Sequence, residues 1–153
     1  MADMLVNLLQ LPPVEPLQRE LEEQGFRLRR AEPWDLTPVR NFIEQTFGRG
    51  WADETSVAFA RQPITCFVAR NPEKQIVGFA AYECTRRDFF GPMGLAEEFR
   101  GRKLGTALLL LALYGLKELG YVYAIIGGAG PVDFYRKAVN AVLIEGSTPG
   151  IYG

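Results

Sequence analysis

The sequence predicts a single α/β (α+β) domain over residues 1–153, with a mixed central sheet of about six to seven strands flanked by helices. Three observations lead there. Short β-type runs near residues 26–31, 64–70, 75–84, 88–95, 121–126 and 141–145 are interleaved with runs of helical periodicity near 36–46, 54–61 and 104–119. Tyr121–Ile126 is apolar throughout, as in strands covered on both faces. The run Leu104–Leu119 is apolar around most of its circumference, so it has to be buried on more than one side. With 48% hydrophobic and 12% aromatic residues, a chain of 153 residues has material for one sizeable core.

In chain order, Pro12, Pro13 and Pro16 block a continuous helix. Residues 1–25 therefore read as an irregular N-terminal arm leading into a helix at Leu17–Gln24, closed by Gly25. Phe26–Ala31 alternates apolar and charged residues, the pattern of a half-exposed strand. Asp35 is placed to cap a helix over Leu36–Thr46, followed by a Gly48–Asp53 loop and a second helix near Glu54–Arg61. Ile64–Arg70 and Gln75–Cys84 form a hairpin across the turn-rich Asn71-Pro72-Glu73-Lys74, and Thr85–Arg87 turns into a strand ending near Leu95. After the apolar helix, stopped by Gly120, come the strand Tyr121–Ile126, the loop Gly127-Gly128-Ala129-Gly130-Pro131, a short helix around Asp133–Lys137, and a last strand at Ala141–Glu145.

Composition narrows the chemistry. With 17 basic and 18 acidic residues, the net charge of −1 offers no broad nucleic-acid face and no polybasic membrane surface, so any anion site must be local. The chain has no histidine, which excludes Ser-His-Asp and Cys-His nucleophilic systems and histidine zinc sites. Acid–base work falls to Glu, Asp, Tyr, Lys, Cys or water. Cys66 and Cys84 lie in apolar runs and read as reduced core residues. The first residues lack a signal-peptide pattern and no apolar run is long enough to span a bilayer, so a soluble cytoplasmic protein is expected. The apolar helix and the exposed terminal strand are compatible with a homodimer.

One turn concentrates functional signal. Arg100-Gly101-Arg102-Lys103-Leu104-Gly105-Thr106 joins a strand to the apolar helix. Such a turn presents backbone N–H groups with no intrahelical partner, the positive helix end, and three cationic side chains. Gly101 and Gly105 allow backbone to approach a ligand closely. This is the chemistry of a phosphate cradle.

In element order, and in two motifs, the chain resembles the GNAT superfamily of acetyl-CoA-dependent N-acetyltransferases over about residues 26–146. The superfamily motif R/Q-x-x-G-x-G/A, with an apolar residue ahead of it, is anchored here by Leu95, Arg100 and Gly105, and its Phe-Tyr pair by Phe134-Tyr135. The resemblance implies acetyl-CoA as cosubstrate, no metal, and transfer of acetyl to a primary amine, a small-molecule acceptor being favoured. Alternatives are a non-catalytic acyl-CoA-binding or regulatory module, and a protein amine acetyltransferase.

Carried over residue by residue, Arg100, Gly101, Arg102, Lys103, Leu104, Gly105 and Thr106 would hold the coenzyme pyrophosphate, with Phe134 and Lys137 alongside. Met93, Gly94 and Leu95 would pair with the pantetheine arm, the Leu95 N–H polarising the thioester carbonyl. Tyr135 would protonate the leaving thiolate. For the base, Glu83 and Asp88 are the nearest acids in order, and a water chain could replace both. The chain departs from the pattern at Lys103, where the motif has its first Gly; at Gly127–Pro131, which replaces a frequent Asn; and at Asn140-Ala141, which replaces Gly-Phe. The lysine could obstruct the turn or add a charge at the phosphates.

Overall fold

The computed structural model describes residues 1–152. Seven strands form one mixed sheet: β1 (Met4–Asn7), β2 (Arg27–Arg30), β3 (Cys66–Arg70), β4 (Ile76–Tyr82), β5 (Phe89–Leu95), β6 (Tyr123–Ile126) and β7 (Val142–Leu143). Their spatial order is β2-β3-β4-β5-β6-β1-β7. Every neighbouring pair is antiparallel except β5 and β6, which run parallel. The helices are α1 (Glu15–Glu23), α2 (Leu36–Phe47), α3 (Arg49–Ser56), α4 (Leu104–Glu118) and α5 (Val132–Val139). The mixed sheet with helices on both faces is the expected fold class.

Alternation along β4 divides the core in two. Ala80 and Tyr82 face the cluster around α4, while Phe79 and Ala81 face α2 and α3. Ten residues of α4 are buried, among them Leu104, Leu108, Leu113 and Leu116, as an all-round apolar helix requires. Among the described residues no helix is long and apolar enough to cross a membrane.

The structure corrects the expected irregular arm over residues 1–16. Met4–Asn7 is an interior strand, with Met4 paired to Ile126 on one side and to Leu143 on the other. Four residues carry too short an alternation to announce a strand, and all its pairing is distant in sequence. α1 begins at Glu15, because Pro16 falls in the first turn, where a missing N–H removes no intrahelical bond. The loop expected at Gly48–Asp53 is helical: Gly48, at φ +107°, breaks α2 from α3, and residues 49–56 continue as helix. β6 begins at Tyr123 and β7 covers Val142–Leu143 only.

At Gly115, α4 lies close against the Tyr82 ring of β4. A Cβ there would sit 2.4 Å from the Tyr82 hydroxyl. That ring has little freedom to yield, since it stacks on Phe67 and its hydroxyl accepts from Arg30 Nη1 at 2.5 Å. Gly115→Ala is therefore expected to destabilise the fold by about 1–3 kcal/mol in denaturant unfolding. An unchanged midpoint would show that α4 lifts freely off the sheet.

Candidate active site

A cleft opens in the middle of the sheet because β5 and β6 stay paired for only two residues, Phe89 with Ile125 and Phe90 with Ile126. On the β5 side, the register against β4 shifts between Ala80 and Tyr82, a bulge that places Gly91, at φ +118°, and Pro92 opposite the end of β6. Pro92 has no N–H with which to continue the ladder. On the β6 side, the chain leaves the sheet through Gly127 and Gly128. Beyond Phe90, β5 therefore has one unpaired edge.

Which groups face that edge follows from alternation. Ala96 donates its N–H to Val77 O at 2.8 Å, and Gly94 lies opposite Phe79 in the same register, so both face β4. Met93 and Leu95, between and beside them, turn their N–H and C=O toward the gap. An extended ligand lying there would find a strand edge ready to pair.

The cradle lies at the C-terminal end of this edge. Gly101 (φ +81°) and Lys103 (φ +68°) both take left-handed backbone, which bends the chain so that successive N–H groups converge. None of the N–H groups from Gly101 to Thr106 has an acceptor among the described residues, and no side chain caps α4. Six donors and a positive helix end are thus left without a partner from the protein. The left-handed turn also explains why the motif prefers glycine at position 103.

Two cavities follow the cradle. One, of about 620 Å³, is lined by Met93, Gly94, Leu95, Arg100 and Gly105, with Phe47 and Trp51 as its far wall. The other, of about 420 Å³, lies between Pro12, Pro13 and Leu17 on one side and Leu110, Lys137 and Ala138 on the other. Lys103, Thr106 and Phe134 border both. Two expected coenzyme residues contribute differently. Leu104 is fully buried in the core and offers only its backbone, and Arg102 lines neither cavity, its guanidinium lying over Phe99 at 5.6 Å and Phe26 at 6.0 Å.

Tyr135 is buried on α5 and lines a third cavity, of about 210 Å³, bounded by Phe90, Gly91, Met93 and Gly127. Its ring stands edge-on to Phe90 and Phe134, and burial pushes the phenol up to about 12. Asn140, left-handed at φ +57°, ends α5 as the sequence anticipates.

Glu83 is not brought to the cleft. It lines none of these cavities; its carboxylate accepts from the Asp88 N–H and, at 3.2 Å, from the Tyr121 hydroxyl, with Arg87 at 3.8 Å. Because β4 and β5 are antiparallel, the turn holding Glu83 and Asp88 lies at the opposite end of β5 from Leu95. Nearness in the order of elements did not put Glu83 on the wall of the cavity that holds Tyr135. Asp88 keeps one buried, unpartnered oxygen, and its carboxyl is pushed up to about 6, first by burial and then by the Glu83 charge.

Other residues border the site without a motif to announce them. Asp3 accepts the Gly128 N–H at 2.8 Å and Ala2 O accepts that of Ala129, so the N-terminal segment braces the cleft loop. Thr85, Pro149 and Tyr152 close a further cavity beyond Phe90. The glycine-flanked position of Trp51 was the available sequence signal for this wall.

The sequence matches the acetyltransferase (GNAT) family model over residues 15–138. Among solved structures, one similar fold is the GCN5-related glucosamine N-acetyltransferase region of a fungal multi-domain GH3 β-N-acetylglucosaminidase, with TM-score 0.74, 15% identity, and coverage of 94% of this chain and 19% of that one. Another is a GCN5-related N-acetyltransferase from Sphaerobacter thermophilus, with TM-score 0.70, 21% identity, and coverage of 94% and 48%. The GNAT family N-acetyltransferase YhbS from Escherichia coli, crystallised in complex with CoA, gives TM-score 0.50 and 21% identity over 64% of this chain and 59% of that one. This chain thus spans less than two thirds of each of these three. No curated protein matches it in sequence.

One measurement probes the cradle and a second the Glu83–Asp88 turn. Lys103→Gly relieves a left-handed lysine and is expected to stabilise the fold by up to about 1 kcal/mol, while weakening acetyl-CoA binding and flattening its salt dependence. Tighter binding would make the lysine an obstacle. Asp88 is raised above its unfolded value of 3.8, so its ionisation opposes folding increasingly as pH rises from there through about 6. Asp88 has left-handed backbone at φ +65°, which Asn also tolerates, so Asp88→Asn should raise the melting temperature at pH 7 more than at pH 4; an equal change at both would remove Asp88 from this role.

Proposed function

Because the chain belongs to the GNAT acetyltransferase family, we propose that it transfers the acetyl group of acetyl-CoA to a primary amine of a small molecule, by direct attack in a ternary complex. The observation that carries this reading is a continuous path. Six unpartnered N–H groups at residues 101–106 lead along the open edge of β5 to the cavity lined by Tyr135.

The residues divide the chemistry as follows. The N–H groups of the 101–106 turn, with Lys103 and Arg100 beside them, bind the pyrophosphate. Met93 and Leu95 hold the pantetheine arm through their outward N–H and C=O groups, and Leu95 N–H donates to the thioester oxygen as negative charge builds on it. The amine nitrogen bonds to the acetyl carbon, the C–S bond breaks, and Tyr135 Oη–H donates to the departing sulfur. Proton transfer from a phenol at about 12 to a thiolate is uphill in water. Burial raises the proton affinity of the sulfur in the same largely apolar cavity, and this makes the transfer feasible. The surplus proton of the amine leaves to solvent, and the tyrosine recovers its own from there.

A second reading, an acyl-CoA-binding module without turnover, draws on one observation. No Asp or Glu lines the cavity that contains Tyr135. The two readings separate on thiol release with a panel of primary amines: coenzyme binding without release under any amine supports the module.

Tyr135→Phe is expected to lower kcat about 100-fold while acetyl-CoA affinity, by calorimetry, stays within about twofold. In the native enzyme kcat/KM should rise with pH as the amine loses its proton, with no falling limb until pH nears the tyrosine's value of about 12. An unchanged rate in the variant at every pH removes Tyr135 from the acid role.

A further inference from the structure

At the end of the cleft farthest from the cradle, three elements bring polar groups together: Glu54 from α3, Thr85 from the β4–β5 turn and Tyr152 from the C-terminal loop. Thr85 Oγ1 donates to Glu54 Oε2, and Tyr152 Oη donates to the same oxygen at 2.6 Å. The two hydroxyls are 3.4 Å apart.

A hydroxyl has one proton and two lone pairs. With both protons committed to the carboxylate, Thr85 and Tyr152 have only lone pairs to turn toward the cavity they line. Among the described residues no Lys or Arg forms an ion pair with Glu54, whose bonded partners are the two hydroxyls. This corner accepts hydrogen bonds from a cation and repels carboxylates and phosphates.

Between the corner and the reacting end the walls are mainly apolar, with Met1, Gly127 and Gly128 also lining both cavities. The corner's cavity, of about 240 Å³, is bounded by Trp51, Phe89, Phe90 and Pro92. It shares Trp51, Phe90 and Gly128 with the cavity that holds Tyr135, and the Tyr152 ring lies over Gly128, so the two form one slot. One end receives an N–H donor; the other receives the nucleophile. The aromatic faces along the way also favour a cationic chain over an anionic one.

We propose that the acceptor is an apolar-spaced diamine, one amino group attacking the thioester while the other, as ammonium, is held by the Thr85 and Tyr152 hydroxyls in front of Glu54. This rests on the acetyl-transfer reading and specifies its substrate class.

The test compares 1,5-diaminopentane, n-pentylamine and 5-aminopentanoate by thiol release at saturating acetyl-CoA. The diamine's kcat/KM is expected to exceed the monoamine's by about tenfold, the size of one charge-assisted contact, with the amino acid poorest. In Glu54→Gln, which keeps an oxygen for both hydroxyls, that advantage should shrink to within about twofold. Because Tyr152 is exposed, added salt should shrink it as well. A diamine no better than the monoamine, or an advantage that survives Glu54→Gln, overturns the proposal. Should that variant not fold, Tyr152→Phe serves in its place, with a several-fold smaller advantage expected and an undiminished one overturning the proposal.

Failure of acetyl transfer itself is distinguishable. If no amine releases thiol although acetyl-CoA binds, calorimetry of 1,5-diaminopentane on the CoA-loaded protein decides. Binding weakened about tenfold by Glu54→Gln keeps the subsite, whereas no binding, or binding indifferent to the substitution, overturns it.

Discussion

The constraint on which the site depends is an unfinished β-ladder. Backbone N–H and C=O groups inside a sheet are ordinarily paired, and leaving them unpaired is unfavourable unless water or a ligand supplies partners. Here the bulge opposite Ala80–Tyr82, with Gly91 and Pro92 within it, ends the β5–β6 pairing after Phe90. The sheet is kept whole on both sides of the opening, so the gap is held at a fixed width by structure rather than by loops. β4 secures one wall through Phe79–Gly94 and Val77–Ala96; β1 secures the other through four register pairs to β6.

That second wall was the part least legible in the sequence. The apolar helix, the hairpin strands and the Arg/Gly-rich turn each carry their cause locally, in periodicity, in turn residues or in glycine placement, and each forms where those signals put it. Met4–Asn7 carries almost none. Its four residues are a strand because all four pair with β6 and Met4 and Leu5 also with β7, more than a hundred residues away along the chain, while Met4 and Val6 are fully buried in the core. A proline-rich stretch immediately afterwards, read as evidence for an irregular arm, does border a cavity at Pro12 and Pro13, but says nothing about the strand before it.

The candidate site divides in the same way. The cradle is local: seven consecutive residues generate left-handed turns, free N–H groups and positive charge without help from elsewhere. Acid–base placement is not local. Glu83 stands near the cleft in the order of elements, yet strand direction carries it to the far end of β5, where Tyr121, Arg87 and the Asp88 amide engage it. The Glu54–Thr85–Tyr152 corner joins residues separated by as many as 98 positions, and no spacing rule could have associated them.

Core packing and ligand chemistry meet at Leu95. Its backbone faces the cleft while its side chain reaches into the core, where a Cβ on Gly78 would stand 2.5 Å from it and one on Gly105 3.4 Å. Gly105 in turn lies beside the Phe134 ring. A bulkier residue at Gly78 would push Leu95 outward and shift its N–H relative to the 101–106 turn, moving the donors proposed for the thioester oxygen and for the phosphates out of mutual register. Small displacements of this kind are felt strongly, because close-packed interiors transmit strain and catalytic donors act over a few tenths of an ångström. The glycines at 78 and 105 thus set the separation between two parts of one binding path, a requirement that an isolated cradle motif does not express.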